Sequence, residues 1–135
     1  MREFATGATR DSDNTKPDYE GFLSPTAIRR YGEYMTQHRK QADGKIRASD
    51  NWQKGIPTDA YIKSLFRHFI DAWTINRGIE VFDEKDGHQV FMDEALCAVI
   101  FNAMGYLHEI TKKDKPIYLC PQCPEVDIFQ DSDGF

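Results

Sequence analysis

The chain has no run of apolar residues long enough to cross a bilayer, and its opening MREFATGATR shows no signal-peptide pattern. Cysteine is scarce. The three present, Cys97, Cys120 and Cys123, are an odd count at spacings that do not suit a secreted disulfide scaffold. Cys120-Pro-Gln-Cys123 has the spacing of half a zinc site, but the other half is missing, so two ordinary thiols is the simpler reading. A basic excess is lacking too. The formal net charge of -5 argues against a general nucleic-acid binder, which needs a basic face to meet phosphate. A single nucleotide is a different case, because a divalent metal can neutralise its phosphates inside an acidic site. The expectation is a soluble, cytoplasmic protein with neither membrane nor nucleic acid as a partner.

Several catalytic signatures are also missing. No His-Asp dipeptide occurs, which leaves the HD-type metal phosphohydrolases unsupported. Gly44-Lys45 has no glycine five residues earlier, so it is not a phosphate-binding P-loop. There is no G-x-S-x-G elbow for a serine hydrolase. Cys97 sits among apolar residues and reads as packing, not as a nucleophile.

What is present is a chain of 135 residues, 40% hydrophobic and 13% aromatic, enough for one domain with a modest core. Residues 1–23, rich in Asp, Asn, Gly and Thr, read as an extended N-terminal arm. Residues 24–111 read as a helical domain, and 112–135 as an irregular tail. Ser24-Pro25 opens a first helix with a capping hydroxyl and a first-turn proline. Ile28, Tyr31 and Met35 form its buried stripe, and it should end before Gly44. Glu33 and Gln37 stand on another face, with Arg29 and Arg30 just upstream. Residues 41–57, QADGKIRASDNWQKGIP, break every period and read as a long connection. Trp52 within it must either plug into the core or stack on a planar group.

The chain is organised around Thr58 to Gly78. Ile62, Leu65, Phe66, Phe69, Ile70 and Trp73 recur at three- and four-residue steps, the stripe of a helix packed on a core. Ser64, His68 and Asp71 share another face, with Arg67 beside them. Gly78 is the natural residue just past its end. Ile79–Phe82 and His88–Met92 are short β-prone runs around DEKDG that suit a small hairpin. Asp93 is placed to cap a third helix burying Leu96, Val99, Ile100, Ala103, Leu107 and Ile110. Glu94, Ala98, Phe101 and Gly105 share its other side, with Asn102 at the margin. The pattern is that of an all-α bundle with a small β-hairpin.

Three helices of this kind can bring Glu33, Asp71 and Asp93 or Glu94 towards a common centre. Carboxylates on facing helices are a known way to hold Mg²⁺ or Mn²⁺, since hard cations take oxygen ligands. Lys54, Lys63 and Arg67 are candidates to neutralise phosphate oxygens. Each residue alone has an ordinary account as part of a solvated helix face.

The segments GATRDSDNTKPDYEGFLSP (7–25), RYGEYM (30–35), SDNWQKGIP (49–57), SLFRHFIDAW (64–73) and DEALCAVIFNAMGYL (93–107) together resemble the phage dATP/dGTP diphosphohydrolase family. That family is MazG-like, related to the all-α nucleoside triphosphate pyrophosphohydrolases, and the similarity runs over residues 7–110. Within it the chain looks most like the MazZ-type enzymes of phages that replace adenine by 2-aminoadenine. The resemblance implies a MazG-like helical bundle, phage-encoded and acting in the host cytoplasm, that hydrolyses dGTP, with GTP as an option, to dGMP. The product feeds 2-aminoadenine nucleotide synthesis, and pyrophosphate or two phosphates are released. It also implies a homodimer or homotetramer. The relatives hold Mg²⁺ with E-x-x-E and E-x-x-D pairs, and this sequence departs from them. Gln37 stands where a second acid belongs, His68-x-x-Asp71 replaces one pair, and Asp93-Glu94 supplies the rest.

On that basis Glu33, Asp71 and Glu94 are expected to bind Mg²⁺ or Mn²⁺, with Asp93 as a fourth carboxylate or base. His68 would orient a ligand or a water, and the water would be the nucleophile. Arg67 and Lys54 would meet phosphates, and Asn51, Trp52 and Asn102 would hold the nucleoside. Two rivals stay open: a helical oligomer that binds a nucleotide or protein without hydrolysis, and the same chemistry on dATP.

Overall fold

The computed structural model describes residues 1–12 and 15–112 and is mostly helical. The elements run β1 (Arg2–Glu3), β2 (Thr9–Arg10), α1 (Tyr19–Phe22), α2 (Pro25–Gln37), a 3₁₀ turn (Asn51–Lys54), α3 (Thr58–Asn76), β3 (Val81–Phe82), β4 (Gln89–Val90) and α4 (Met92–Thr111). No helix among the described residues is long and apolar enough to cross a membrane. Cys120 and Cys123 lie outside the described residues.

Residues 1–23 are not simply extended. β1 and β2 pair antiparallel around Gly7, and Asp18 caps the single turn of α1 by accepting from the Gly21 N–H at 3.0 Å. Local hydrogen bonding to a short carboxylate is enough to fold one turn there. α2 begins as its sequence predicts: Ser24 Oγ accepts from the Ala27 N–H at 3.1 Å, and proline occupies the first turn. It ends at Gln37, well short of Gly44. The following loop folds back on itself through a Lys40–Ile46 bridge and an Arg39 Nε bond to the Arg47 carbonyl.

α3 ends in a Schellman motif. The Ile79 N–H reaches the Thr74 carbonyl, the Gly78 N–H reaches that of Ile75, and Gly78 takes φ +81°, which a side chain would oppose. The β3–β4 hairpin pairs Val81 with Val90 and Phe82 with Gln89. Its turn is held by Asp83, whose carboxylate accepts from the N–H groups of Lys85 and Asp86. α4 opens without a side-chain cap, from Phe91. Asp93 therefore does not cap it. Its carboxylate is turned away to another helix.

α3 and α4 run antiparallel. Tyr61, near the start of α3, packs edge-on against Phe101 and over Gly105 near the end of α4. Ala72, near the end of α3, meets Ala95 and Val90 at the other end, with Ile75, Val81 and Met92 around them. α2 lies against α4 through Tyr34, which packs with Cys97 and Ala98, flanked by Tyr31 and Met35. The interior is thus built largely from alanine, glycine, cysteine and tyrosine.

This corrects the expected core. On α3 the buried residues are Tyr61 and Ala72, whereas Phe66 is 58% and Trp73 53% exposed, with Ile62, Phe69 and Ile70 exposed beside them. Leu65 is half-buried. On α4, Leu96, Ile100, Ala103 and Leu107 face outward, Val99 and Ile110 are half-buried, and Ala95, Cys97, Ala98, Asn102, Gly105 and Glu109 are inside. On α2, Ile28 is exposed and Tyr34 is the buried residue. The reason is close approach: helices that meet through small side chains bring their backbones together, and the bulky stripe is left on the far side.

Candidate functional site

The polar face of α3 turns towards α2 and α4, and its centre is His68. The imidazole is half-buried, with Nδ1 3.9 Å from Asp71 Oδ2. Burial draws its pKa below the ordinary histidine value. Asp71 and Glu94 pull the other way, while Arg67 and His38 push it further down. Charges from all three helices therefore converge on this ring. His38, the C-cap of α2, lies over the Tyr34 ring at 4.0 Å between centroids, and its Nδ1 is 2.8 Å from the Tyr34 carbonyl. Burial first, then the nearby Glu94, pushes the Tyr34 hydroxyl up to about 12. Arg67 is exposed and donates to Ser64 Oγ at 2.8 Å.

The carboxylates at the start of α4 are engaged. Asp93 Oδ2 accepts from Arg30 Nε of α2 at 2.6 Å, and that bond holds the Asp93 carboxyl below its usual range. Glu94 is bound by His88 Nε2 of β3–β4's connecting turn at 2.9 Å, and His88 Nδ1 is bound in turn by Asp86. Hydrogen bonds to Glu94 and then Asp86 raise His88 to about 9, so it is a cation at neutral pH. Neither Arg30 nor His88 stood out in the sequence as a partner of these acids. Arg30 lies 63 residues from Asp93, so nothing local marks that contact, whereas His88 is only six residues from Glu94.

Glu33 is exposed on α2. Among the described residues, the His, Asp and Glu group whose ligand atoms lie within 4.8 Å of one another is Asp83, Asp86 and His88, in the hairpin. Glu33, Asp71 and Glu94 form no such group. Arg30 instead pairs with Asp93, and His88 with Glu94.

A cavity of about 180 Å³ lies alongside, lined by Tyr31 and Met35 of α2, Ser49 and Trp52 of the loop, and Phe101, Met104 and Gly105 of α4. Trp52 is half-buried, with its ring edge-on to His108 at 4.8 Å. Its loop is tied to α4 where the Ile56 N–H meets Glu109 Oε1 at 3.4 Å, and Lys112 Nζ bonds the same carboxylate at 2.7 Å. Trp52 thus packs on the body and also lines the cavity. The volume is below the roughly 300–1,000 Å³ of a site that encloses a drug-sized ligand.

The remaining expected residues divide. Asn51, half-buried, opens the 3₁₀ turn, and Lys54 ends it, exposed. Asn102 is buried, and its amide donates to the Ala98 carbonyl of its own helix at 2.8 Å, so it is occupied internally. Beneath Gly105, the Tyr61 hydroxyl is buried and has no hydrogen-bond partner among the described residues. Phe101 follows Glu94 by seven residues, on the same side of α4 and roughly 10 Å further along its axis. No family model, curated protein or solved structure matches this chain.

Proposed function

We propose that this chain hydrolyses a purine deoxynucleoside triphosphate, dGTP first, to the monophosphate. One observation carries the reading. Phe101 lines the aromatic cavity, and Glu94, whose charge acts on His68, stands on the same side of α4 about 10 Å away along its axis. A base held between Trp52 and Phe101 sets its phosphates over the polar groove around His68 and Glu94. The segment resemblance to the MazG-like phage enzymes supports the same substrate class and the role in supplying 2-aminoadenine nucleotide synthesis.

His68, drawn towards its neutral form by burial, accepts a proton from water, and Asp71 orients the ring. The water oxygen attacks phosphorus, and the phosphate chain leaves as the P–O bond breaks. Arg67 and Lys54, both exposed cations, meet the phosphate oxygens. Mg²⁺ or Mn²⁺ bound to the triphosphate would neutralise its charge beside the carboxylates of Asp71 and Glu94. The protein acts as a homo-oligomer.

The test is incubation with each nucleoside triphosphate and Mg²⁺ or Mn²⁺, with products resolved by ion-exchange chromatography. Conversion of dGTP to dGMP, abolished by chelator, is the expected result. The phosphate product then shows whether the bond breaks once or twice. A second reading has one observation in its favour: Arg30 and His88 occupy Asp93 and Glu94, which suits a protein that binds a nucleotide without turning it over. Saturable binding of dGTP with no product would decide for that module.

A further inference from the structure

The feature that the groove leaves unexplained is the outer side of α3. Ile62, Phe66, Phe69, Ile70 and Trp73 are all between about two-fifths and three-fifths exposed, turned away from Tyr61 and Ala72, which face α4. Five such side chains present roughly 500 Å² of apolar surface, at the upper end for a protein that works alone.

The charges on the same side have an order of their own. Asp59 and Arg77 stand eighteen residues apart, five full turns at 3.6 residues per turn, and so lie on one line along the helix. Phe66, Ile70 and Trp73 lie on that line between them. Asp59 and Arg77 are both exposed, and the Arg77 guanidinium sits 5.7 Å from the Trp73 ring centroid. The line is antisymmetric: an acid at its N-terminal end, a base at its C-terminal end, and Phe66 and Ile70 at equal distances from residue 68.

We infer that α3 pairs with α3 of a second copy, antiparallel, about a two-fold axis that crosses the outer side of α3 at the level of residue 68, opposite the His68 side chain. A two-fold contact is self-complementary, so whatever stands at one end of the line must suit what stands at the other. Here Asp59 meets the partner's Arg77 at both ends, and Phe66 packs against the partner's Ile70. The apolar surface from two copies is on the order of 1,000 Å², which reaches the lower bound of a specific interface. The charged ends set direction and register, and the aromatic centre supplies the affinity. An unrelated partner or a lipid surface would not require an acid and a base at mirror positions. This pairing stands whether or not the groove hydrolyses a nucleotide.

Sedimentation equilibrium of the full chain tests it, with circular dichroism to confirm folding. The wild type is expected to be dimeric at micromolar concentration, or a dimer of such dimers. Phe66→Glu is expected to be a folded monomer, since the side chain is mostly exposed. Asp59→Arg and Arg77→Asp each place like charges together and should weaken the dimer roughly tenfold or more. The double variant Asp59→Arg/Arg77→Asp exchanges the charges and should restore it. A monomeric wild type would overturn the inference, as would a dimer indifferent to Phe66→Glu. A double variant no tighter than the single ones would overturn the antiparallel register.

Discussion

Arg30 of α2 holds Asp93 of α4 through a 2.6 Å bond between Nε and Oδ2, and this ion pair joins the two helices. Both side chains are partly open to solvent, so its main effect is to fix where α2 sits on α4 and not to supply stability. Arg30→Met should leave the chain folded, with a small drop in melting temperature. The pH dependence has a definite sign. The Asp93 carboxyl is lowered in the folded state, so its contribution is present above the ordinary aspartate value and fades as pH falls through the folded one. Urea unfolding from about pH 5 down to pH 2 should be steeper with pH in the wild type than in Asp93→Asn.

His88 joins the hairpin to α4 through Asp86 and Glu94, and its shift runs the other way. A histidine raised to about 9 contributes fully below its unfolded value and loses that contribution as pH rises through 9. NMR titration of the imidazole should give a midpoint near 9. Denaturant stability should decline between about pH 7 and pH 9 in the wild type, and should decline less steeply over that range in His88→Gln.

Gly105 has no room for a methyl group. A Cβ there would lie 2.3 Å from the Tyr61 ring, and Tyr61, 1% exposed, has nowhere to go. Gly105→Ala should therefore destabilise the protein by about 1–3 kcal/mol despite alanine's better helix propensity. Tyr61→Phe should be neutral or slightly stabilising, because the hydroxyl it removes has no partner to lose. Thermal melts of the two variants check both statements: a clear loss for Gly105→Ala and none for Tyr61→Phe.

For the proposed activity, His68→Gln should reduce turnover by about 10²–10⁴-fold while dGTP binding, read by Trp fluorescence, stays within a few-fold. The burial that lowers His68 also sets the pH profile. The proton-accepting form persists below the ordinary histidine value, so the acid limb of the rate should lie under about pH 6.5. Trp52→Ala should instead raise KM, and Trp52 fluorescence should respond to dGTP more than to inorganic triphosphate. Equal effects of both variants on kcat and KM would remove the division between base cavity and phosphate groove.

Much of the local architecture was written in short stretches of sequence. The Ser24-Pro25 start, the Gly78 stop and the DEKDG hairpin each depend on hydrogen bonds between residues two to five apart, and each came out where the residues indicate. Ser64, His68 and Asp71 do share a face, and that face does look into the bundle. What periodicity could not convey is which of two stripes the neighbour would cover. α3 carries a bulky stripe and a smaller one, and hydrophobicity alone favours burying Phe66 and Trp73. The structure buries Tyr61 and Ala72 instead, because Gly105 and Ala95 on α4 let the backbones approach there. The same holds for the acids. That Glu33, Asp71, Asp93 and Glu94 exist on helices is sequence. That Arg30 claims Asp93 and His88 claims Glu94, leaving Glu33 apart, depends on how α2 and the hairpin seat on α4. Helix ends are local events and are set by neighbours in the chain. Buried faces and ion partners are chosen by contacts between distant segments, and only the packed chain decides them.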